Sequence, residues 1–277
     1  MQRFRTRSRF MFSSLALLLL CCAMLTNSKS NARSLDDIVE SGTIRIAVYN
    51  DYPPFSFLEE NEAKGIDIDI ANAICTQMKR ECELVPQEWD GMIPALKAKK
   101  FDAIVASMSI TEDRKTQVDF TDKYYQVPAR LIASKEADFE GTAEGLSGKR
   151  IGVQRATTHQ CYAEKTFPDA ELVLYASEEE IYKDLVLGRI DAQLTSSLVA
   201  QKSFLSKDKG ANYAFLGGDR VDLKCYGEGV GIAIRKGDEL RTAINTAISN
   251  IREDGTYEKI NGKYFPFDIY GARPASN

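Results

Sequence analysis

Apolar and polar positions along the first half of the chain mark out short strands and helices. Residues 43–48 alternate apolar and polar side chains, the period of a half-buried strand. Residues 101–106 form a mostly apolar run that is typical of a buried strand, and residues 34–41 fit a short amphipathic helix. The same pattern predicts a helix that opens at 65–70 and runs to residue 78, and a segment 89–96 that turns into a helix ending near residue 100. It also predicts a strand over 82–89 and an extended segment over 121–133.

From residue 147 a similar series of elements begins again. It predicts strands over 148–153, 172–175 and 190–194, and helices over 157–167, 178–187 and 197–204. Two successive series of β/α units indicate two similar α/β lobes rather than one sheet. The glycine-rich run 227–234 lacks the strand–turn–helix context of a dinucleotide site, so we interpret it as a return crossing between the lobes. An amphipathic helix is expected over 239–252.

The first 32 residues have the pattern of a secretory signal peptide. Four arginines within the first nine residues precede a short apolar core, and residues 30–32 offer small side chains where a signal peptidase cleaves. The core is too short to span a bilayer comfortably. Cys21 and Cys22 raise the alternative of a lipoprotein, but neither follows the small residue that lipidation requires. Export to the periplasm is therefore expected, without a lipid anchor.

Charge, cysteine and histidine content narrow the possible functions. Loss of the signal peptide, with five basic and no acidic side chains, changes the formal charge from −4 to −9, which argues against a nucleic-acid partner. A disulfide can close the short loop between Cys75 and Cys82, whereas spacing leaves the pairing of Cys161 and Cys225 open. His159 is the only histidine and no CxxC pair occurs. We therefore expect no metal, no cofactor and no catalytic residues.

The stretch from Ser107 to Arg114 is the expected centre of function. Ser109 and Glu112 have the spacing of a capping box, so a helix is predicted to start there, directly after a buried strand. A helix N-terminus offers unpaired N–H groups to an anion. Ser107 and Ser109 add hydroxyl donors, and Arg114 offers a planar grip on a carboxylate. The alternative is a capped surface helix with a solvated arginine.

Two aromatic side chains stand at successive strand-to-helix junctions. Tyr52 belongs to the segment 52–57, where two prolines exclude a helix and predict a rigid loop at the carboxyl end of a strand. Trp89 begins the segment 89–96, which turns into the helix that ends near residue 100. Such rings suit an aliphatic or cationic side chain, because a cation over an aromatic face gains about 0.5–2 kcal/mol. Either ring could instead belong to the core.

Six motifs along the chain resemble those of a known family. In order they are Tyr52-Pro-Pro-Phe-Ser, Gly65-Ile-Asp-Ile-Asp-Ile-Ala, Trp89-Asp-Gly-Met-Ile-Pro-Ala-Leu, Ser107-Met-Ser-Ile-Thr-Glu-Asp-Arg114, Gly152-Val-Gln-Arg-Ala-Thr157-Thr158 and Lys263-Tyr-Phe-Pro-Phe-Asp-Ile-Tyr270. Together they resemble the periplasmic polar-amino-acid-binding proteins of ABC importers, nearest the lysine/arginine/ornithine and histidine binders. The resemblance implies a two-lobed periplasmic-binding-protein fold of type II, with two hinge strands and ligand trapped by closure. It implies lobe 1 over 33–127 plus 228–277 and lobe 2 over 128–227.

The resemblance also implies roles for individual residues. Arg114, Ser107 and Ser109 would hold the ligand's α-carboxylate, and Thr158 would complete that site on closure. Tyr52 and Trp89 would sandwich the ligand's side chain. Further implied features are Gln154 in the side-chain pocket and a disulfide between Cys75 and Cys82.

Two positions depart from the family pattern. Ser196 stands where basic-amino-acid binders usually carry the aspartate that meets the α-ammonium. Tyr49 stands where they carry an acid that meets the ligand's distal cation. Both changes remove a carboxylate that would face a cationic ligand, and a buried ammonium without a counter-charge is costly. Glu88 or Glu228 could compensate if either reaches the pocket.

We therefore expect a monomeric, non-enzymatic receptor that binds a polar, basic L-amino acid of the arginine/lysine/ornithine type. It would deliver this ligand to the membrane subunits of an ABC importer. One alternative is a binder of a neutral polar amino acid such as glutamine. A second is a cyclohexadienyl-dehydratase-like enzyme on the same fold. A third is a surface antigen or adhesin that keeps the fold and binds no small ligand.

Overall fold

The computed structural model describes residues 34–271, so the expected signal peptide lies outside the described residues. The α-helices are α1 (Leu35–Ser41), α2 (Ile66–Gln77), α3 (Met92–Lys97), α4 (Glu112–Lys115), α5 (Thr158–Thr166), α6 (Glu178–Val186), α7 (Ser197–Ala200), α8 (Leu223–Tyr226), α9 (Leu240–Glu253) and α10 (Thr256–Tyr264). The strands are β1 (Thr43–Val48), β2 (Asp51–Tyr52), β3 (Ser56–Glu59), β4 (Glu62–Lys64), β5 (Glu81–Pro86), β6 (Ala103–Ile104), β7 (Asp119–Tyr125), β8 (Ala129–Ser134), β9 (Arg150–Gln154), β10 (Glu171–Tyr175), β11 (Ala192–Ser196), β12 (Tyr213–Arg220) and β13 (Val230–Ile234). Short 3₁₀ turns cover Trp89–Gly91 and Asp208–Gly210, and a π-helical turn covers Gln201–Leu205.

Local sequence signals account for the first helix. Ser34 caps α1 with a capping box: its hydroxyl accepts from the Asp37 backbone N–H (3.1 Å), and Asp37 accepts from the Ser34 backbone N–H (2.6 Å). Gly42 ends the helix in the left-handed region at φ 73°, where a side chain would be strained. The chain then turns directly into β1, as the sequence predicts.

The first sheet has the strand order β5-β1-β6-β13-β7. β1 runs parallel to β5 and β6, whereas β13 is antiparallel to both β6 and β7. Ile44, Ile46 and Val48 of β1 pack with the buried faces of α2 and α9, and Ala47 packs with α3 on the opposite face. β1 is therefore buried on both faces, as is usual for parallel strands.

The second sheet has the strand order β10-β9-β11-β8-β12. β9 runs parallel to β10 and β11, and β8 is antiparallel to β11 and β12. One apolar cluster packs α5 against this sheet, and a second packs α6 and the turn after α7. The prediction of two series of β/α units is confirmed by these two sheets.

Two segments carry the chain between the sheets. Residues 126–128 join β7 to β8, so the predicted single extended segment over 121–133 is in fact two strands in different sheets. Residues 221–229 return to the first sheet, where β13 inserts between β6 and β7. The prediction that the whole glycine-rich run forms the crossing is therefore wrong. Within it, Gly227 has φ 69°, and a Cβ there would collide with the Ile110 carbonyl.

Several elements carried no clear sequence signal. They are the small antiparallel sheet β2-β3-β4, the edge strand β12, and the helices α8 and α10. The predicted rigid loop over 52–57 is a turn between β2 and β3. These elements are short or lie at an edge, where periodicity covers too few residues to identify them.

Two disulfides link helices to neighbouring elements. Cys75 of α2 bonds to Cys82 of β5, and the Cα atoms are 5.8 Å apart. Cys161 of α5 bonds to Cys225 of α8, with Cα atoms 5.6 Å apart. The structure thus pairs the two cysteines that spacing left open. Within residues 34–271, no helix combines the length and apolar character needed to cross a membrane, and no cluster of three or more His, Cys, Asp or Glu side chains could hold a metal ion.

Candidate ligand-binding site

A cavity of about 920 Å³ lies between the two sheets. The ends of β1, β9 and β11 all contribute to it, which is the usual position of ligand sites in α/β sheets. The structure brings all nine residues that the sequence singled out to the lining of this one cavity: Tyr49, Tyr52, Trp89, Ser107, Ser109, Arg114, Gln154, Thr158 and Ser196.

The segment between β6 and β7 lies at the cavity, but its helix starts later than predicted. The N-cap of α4 is Thr111, whose hydroxyl accepts from the Arg114 backbone N–H (3.3 Å). The predicted start at Ser109 is wrong, because Ser109 forms an antiparallel bridge with Val230 and is extended. Since α4 has a single turn, its dipole is small, and anion binding through a helix N-terminus has little physical basis here.

Ser107 is held in the cavity wall by other side chains. Its backbone is left-handed at φ 54°, which is uncommon for a residue with a Cβ. Its hydroxyl donates to Asp67 Oδ2 (3.0 Å) and lies 2.6 Å from the Tyr125 hydroxyl. Burial raises the pKa of Asp67 to about 6, although these hydrogen bonds favour its charged form. The Ser107 proton is therefore already engaged, contrary to the expectation of a free hydroxyl donor.

Arg114 is a buried cation at one end of the cavity. Its Nη1 donates to Ser109 O (3.1 Å), its Nη2 donates to Ala156 O (3.3 Å), and its guanidinium lies 5.2 Å from the Trp89 ring centroid. Among residues 34–271 no carboxylate is within ion-pair distance of it. Burial lowers the pKa of Arg114 to about 10, so it remains charged at neutral pH. A carboxylate would supply the counter-charge that this position lacks among the described residues.

Contacts across the cavity join the two sheets. Besides the bond from Arg114 to Ala156 O, they include a hydrogen bond from Trp89 Nε1 to Ala156 O (3.1 Å), one from Gln154 Nε2 to the Tyr49 hydroxyl (3.1 Å), and an ion pair between Arg155 Nε and Asp90 Oδ2 (2.6 Å). Each contact links a residue that follows a strand of the first sheet to one at the end of β9 or just beyond. The two halves of the site are therefore in contact in this conformation.

The end of the cavity at Tyr49 and Tyr52 has an acidic environment. Burial raises the pKa of Tyr49, and the nearby charges of Asp51, Glu178 and Glu88 raise it further. Burial followed by the charge of Glu178 likewise raises the pKa of Tyr52. Burial also raises the pKa of Asp51 to about 6, with Glu179 and Glu88 adding to the effect. The cavity is thus positive at Arg114 and surrounded by acids at its other end.

Comparison with known families matches residues 44–267 to the bacterial extracellular solute-binding proteins, family 3. The chain belongs to this family. Of the described residues, the match leaves out α1, the first residue of β1 and the positions after 267. The resemblance drawn from the six sequence motifs is thereby confirmed.

Curated members of the family include several amino-acid-binding proteins. This solute-binding protein is 46% identical over 243 residues to the L-arginine-binding protein of Pseudomonas aeruginosa, covering 86% of this chain and 94% of that one. It is 38% identical to the lysine/arginine/ornithine-binding periplasmic protein of Escherichia coli, covering 91% of this chain and 98% of that one.

Solved structures agree with these relatives. The arginine-specific periplasmic binding protein of Salmonella typhimurium aligns with a TM-score of 0.75 at 33% identity, covering 80% of this chain and 99% of that one. An ancestral amino-acid-binding protein, a precursor of cyclohexadienyl dehydratase, aligns with a TM-score of 0.73 at 34% identity, covering 83% and 98%. The predicted two-lobed fold of type II is confirmed.

His159 lines the cavity of this solute-binding protein, although no role was predicted for it from the sequence. It is 8% exposed, and its Nδ1 has no hydrogen-bond partner among the described residues. Burial and the charge of Arg114 lower the pKa of His159 to about 4, so the ring is neutral at pH 7. Because His159 directly follows Thr158, a predicted site residue, it could have been predicted from the sequence to lie near the cavity.

The acids that could have compensated for Ser196 and Tyr49 do not reach the cavity. Glu228 forms an ion pair with Lys115 (2.8 Å), and neither Glu228 nor Glu88 lines the cavity. The acid that does lie behind this end of the cavity is Glu178, which is only 2% exposed. Three consecutive glutamates at 178–180 gave no indication of which one is buried.

Proposed function

We propose that this protein is an extracytoplasmic receptor that binds a basic L-amino acid of the arginine/lysine/ornithine type and delivers it to an ABC importer. The observation that carries this proposal is the charge distribution of the cavity. Buried Arg114 has no carboxylate partner at one end, and acids surround Tyr49 and Tyr52 at the other. A ligand with a carboxylate and a distal cation complements both ends.

The carboxylate end would be built around Arg114. Its two carbonyl contacts, with Ser109 and Ala156, hold the guanidinium in place while leaving donors for a carboxylate. Ser109 and Thr158 line the cavity at this end and would add hydroxyl donors. Ser107 would act here with its backbone rather than its hydroxyl proton, and Ser196 would face the α-ammonium.

The side-chain end would be a sandwich. Trp89 and Tyr52 line the cavity and would enclose the aliphatic part of the ligand. Gln154 and Tyr49 form the far wall, where Gln154 Nε2 donates to the Tyr49 hydroxyl and to Ala176 O (2.8 Å). The Tyr49 hydroxyl oxygen keeps a second lone pair that can accept from the ligand's distal cation, and its proton is left for water.

The lobes would close on the ligand by bending at the two crossing segments. We propose lobe 1 as residues 33–127 plus 228–277, and lobe 2 as residues 128–227. The positions of the crossings at 126–128 and 221–229 support these boundaries. The hydrogen bonds and the ion pair across the cavity would then belong to the closed state.

The cellular setting follows from the same family membership. We propose that the mature receptor is a monomer in the periplasm that contacts importer membrane subunits and performs no catalytic step. Relatives with periplasmic names and the family description support this setting. The unpaired Arg114 suits retention of a carboxylate ligand rather than its conversion.

Thermal unfolding tests the proposal directly. The mature protein, residues 33–277, is heated with each common L-amino acid, ornithine and citrulline. A ligand at a hundred times its Kd adds about 2.7 kcal/mol to the unfolding free energy, so a basic ligand should raise Tm by several degrees. A shift only with a neutral ligand such as glutamine would instead indicate that Tyr49 and Ser196 have changed the preference.

A dehydratase is the second candidate, favoured by the structural likeness to a precursor of cyclohexadienyl dehydratase. Incubation with prephenate or arogenate separates the two functions. A receptor leaves both compounds intact, whereas product at a rate above the spontaneous reaction would establish the enzyme. An absence of any Tm shift together with no product would contradict both.

A further inference from the structure

Glu178 is a buried carboxyl directly behind the side-chain end of the cavity. It is the first residue of α6 and is 2% exposed. Its Oε1 accepts from the Thr195 hydroxyl (2.9 Å), and its Oε2 accepts from Gln193 Nε2. Within residues 34–271 no Lys, Arg or His forms an ion pair with it. A buried carboxyl with satisfied hydrogen bonds and no counter-cation is unusual and costly if charged.

Every titratable group that acts on Glu178 is an acid or a phenol. α6 packs against β2, β9, β10 and β11. From these elements and its own helix the groups that face Glu178 are Asp51, Tyr52 and Tyr182, with Tyr49 just beyond. The cations on these elements are paired elsewhere: Arg150 pairs with Asp191, and Lys183 pairs with Glu179. Lys209, from the turn 208–210, lies over the Tyr182 ring and also pairs with Glu179.

Glu178 lies next to residues that adjoin or line the cavity. Thr195, which donates to Glu178, is followed in β11 by Ser196, and Ser196 lines the cavity. Tyr52 also lines the cavity, and the charge of Glu178 acts on it. A cation held between Tyr49 and Tyr52 would therefore lie in the field of Glu178, in a buried region where that field is weakly screened.

We propose that Glu178 is the counter-charge that selects a cationic ligand side chain, and that it loses its proton when that ligand binds. This inference rests on the proposed function. The O–H bond of the Glu178 carboxyl breaks and the proton leaves to solvent, while the ligand keeps its own positive charge. Thr195 and Gln193 continue to donate to Glu178 after it has lost its proton, so the carboxylate needs no additional hydrogen-bond donor.

Burial raises the pKa of Glu178 to about 8, and the charge of Asp51 raises it further. The hydrogen bonds from Thr195 and Gln193 act in the opposite direction and lower it. The group is therefore protonated in most empty molecules at pH 7. Because a bound cation favours the charged form, binding and proton release are linked. The affinity for a basic ligand should rise about tenfold per pH unit below pH 8, and that for a neutral ligand should not change.

Titration calorimetry with L-arginine and its neutral isostere L-citrulline tests the inference. Wild-type protein should release close to one proton on binding arginine at pH 7 and no proton on binding citrulline. The released proton is measured from the binding heat, which then varies with the ionisation enthalpy of the buffer. Glu178→Gln keeps the size of the side chain and removes its charge. It should weaken arginine binding at pH 8 by at least tenfold, abolish the proton release and leave citrulline binding within twofold.

Glu179→Gln is the matched control, since it removes the same charge from the neighbouring, partly exposed position that pairs with Lys209. It should bind arginine as wild type does. Arginine binding by wild type without proton release or pH dependence would overturn the role of Glu178 and leave the receptor standing. Failure of the wild type to bind any basic amino acid would overturn the receptor itself. Citrulline binding and the thermal melt report whether each variant folds.

Discussion

At the scale of single residues, the site depends on charges that lack partners. Arg114 is 8% exposed and is held by two backbone carbonyls rather than by a carboxylate. Glu178 is buried at the other end with neutral donors around it. The carboxylate of a zwitterionic, basic ligand would pair with Arg114, and the distal cation of that ligand would stabilise Glu178 in its charged form. Under our proposal, both the affinity and the preference of this site depend on these two residues.

The first residue-scale prediction concerns Arg114. Arg114→Ala removes the cation that would pair with the ligand carboxylate, and a charge-assisted hydrogen bond contributes about 1.5–3 kcal/mol. We therefore expect binding of the basic ligand to weaken at least tenfold in a calorimetric titration. Arg150→Ala, which removes an ion pair with Asp191 outside the cavity, should leave affinity unchanged. Equal affinity for wild type and Arg114→Ala would reject the carboxylate site.

The second residue-scale prediction separates the face of Trp89 from its hydrogen bond. Both Trp89→Phe and Trp89→Ala lose the Nε1 donor to Ala156 O, but only phenylalanine keeps an aromatic face. Trp89→Ala should therefore weaken ligand binding more than Trp89→Phe does, by about 0.5–2 kcal/mol. If the two variants lose the same affinity, the ring face does not contact the ligand.

At the scale of elements, the second disulfide ties a cavity wall to a helix. α5 begins with Thr158 and His159, and α8 belongs to the segment 221–227, much of which also lines the cavity. The bond between Cys161 and Cys225 joins these two walls. The disulfide between Cys75 and Cys82 lies between α2 and β5, and neither cysteine lines the cavity.

Removal of the two disulfides should therefore have different effects. Cys161→Ser with Cys225→Ser opens a loop of sequence separation 64, and the chain-entropy estimate is about 4 kcal/mol lost from the unfolding free energy. Cys75→Ser with Cys82→Ser opens a separation of 7 and should cost about 2 kcal/mol. Denaturant titration measures both. Only the first pair should also weaken ligand binding, and an equal effect of both pairs on affinity would contradict this.

At the scale of the whole molecule, buried acids make stability depend on pH. Burial raises the pKa of Glu178 to about 8 and those of Asp67 and Asp51 to about 6, whereas it lowers the pKa of His159 to about 4. A raised carboxyl pKa means that the folded state binds the proton more tightly than the unfolded chain does. Its contribution is complete below the unfolded pKa and is lost as pH rises through the folded pKa. His159 acts in the opposite direction, and its contribution is lost as pH falls from about 6.5 to 4.

Between pH 7 and 8, Glu178 is the one of these four groups whose protonation changes most. The ligand-free protein should therefore lose unfolding free energy over this interval, by at most about 1.4 kcal/mol per pH unit for one proton. Glu178→Gln should flatten the slope in denaturant titrations. A slope that is the same in both proteins would show that Glu178 titrates normally.

The sequence motifs identified residues that line the cavity, whereas the bounds of some helices and strands that carry these residues were wrong. Arg114 and Trp89 were identified from their motifs and lie in the cavity. The helix start near Arg114 was misplaced, because Ser109 pairs with Val230, which lies far away in sequence. Likewise β12 pairs with β8 at the edge of the second sheet, and no local sequence pattern predicts this pairing.

The sequence by itself determined the main series of β/α units, the two-lobed family and the residue types at the cavity, because periodicity and motifs are local. Only the tertiary structure decided which of three adjacent glutamates is buried, that Ser107 donates to Asp67, and that Cys161 meets Cys225. Burial and pKa depend on side chains brought together from distant parts of the chain. The electrostatic character of the site, and hence its preference for a ligand, is set at that level.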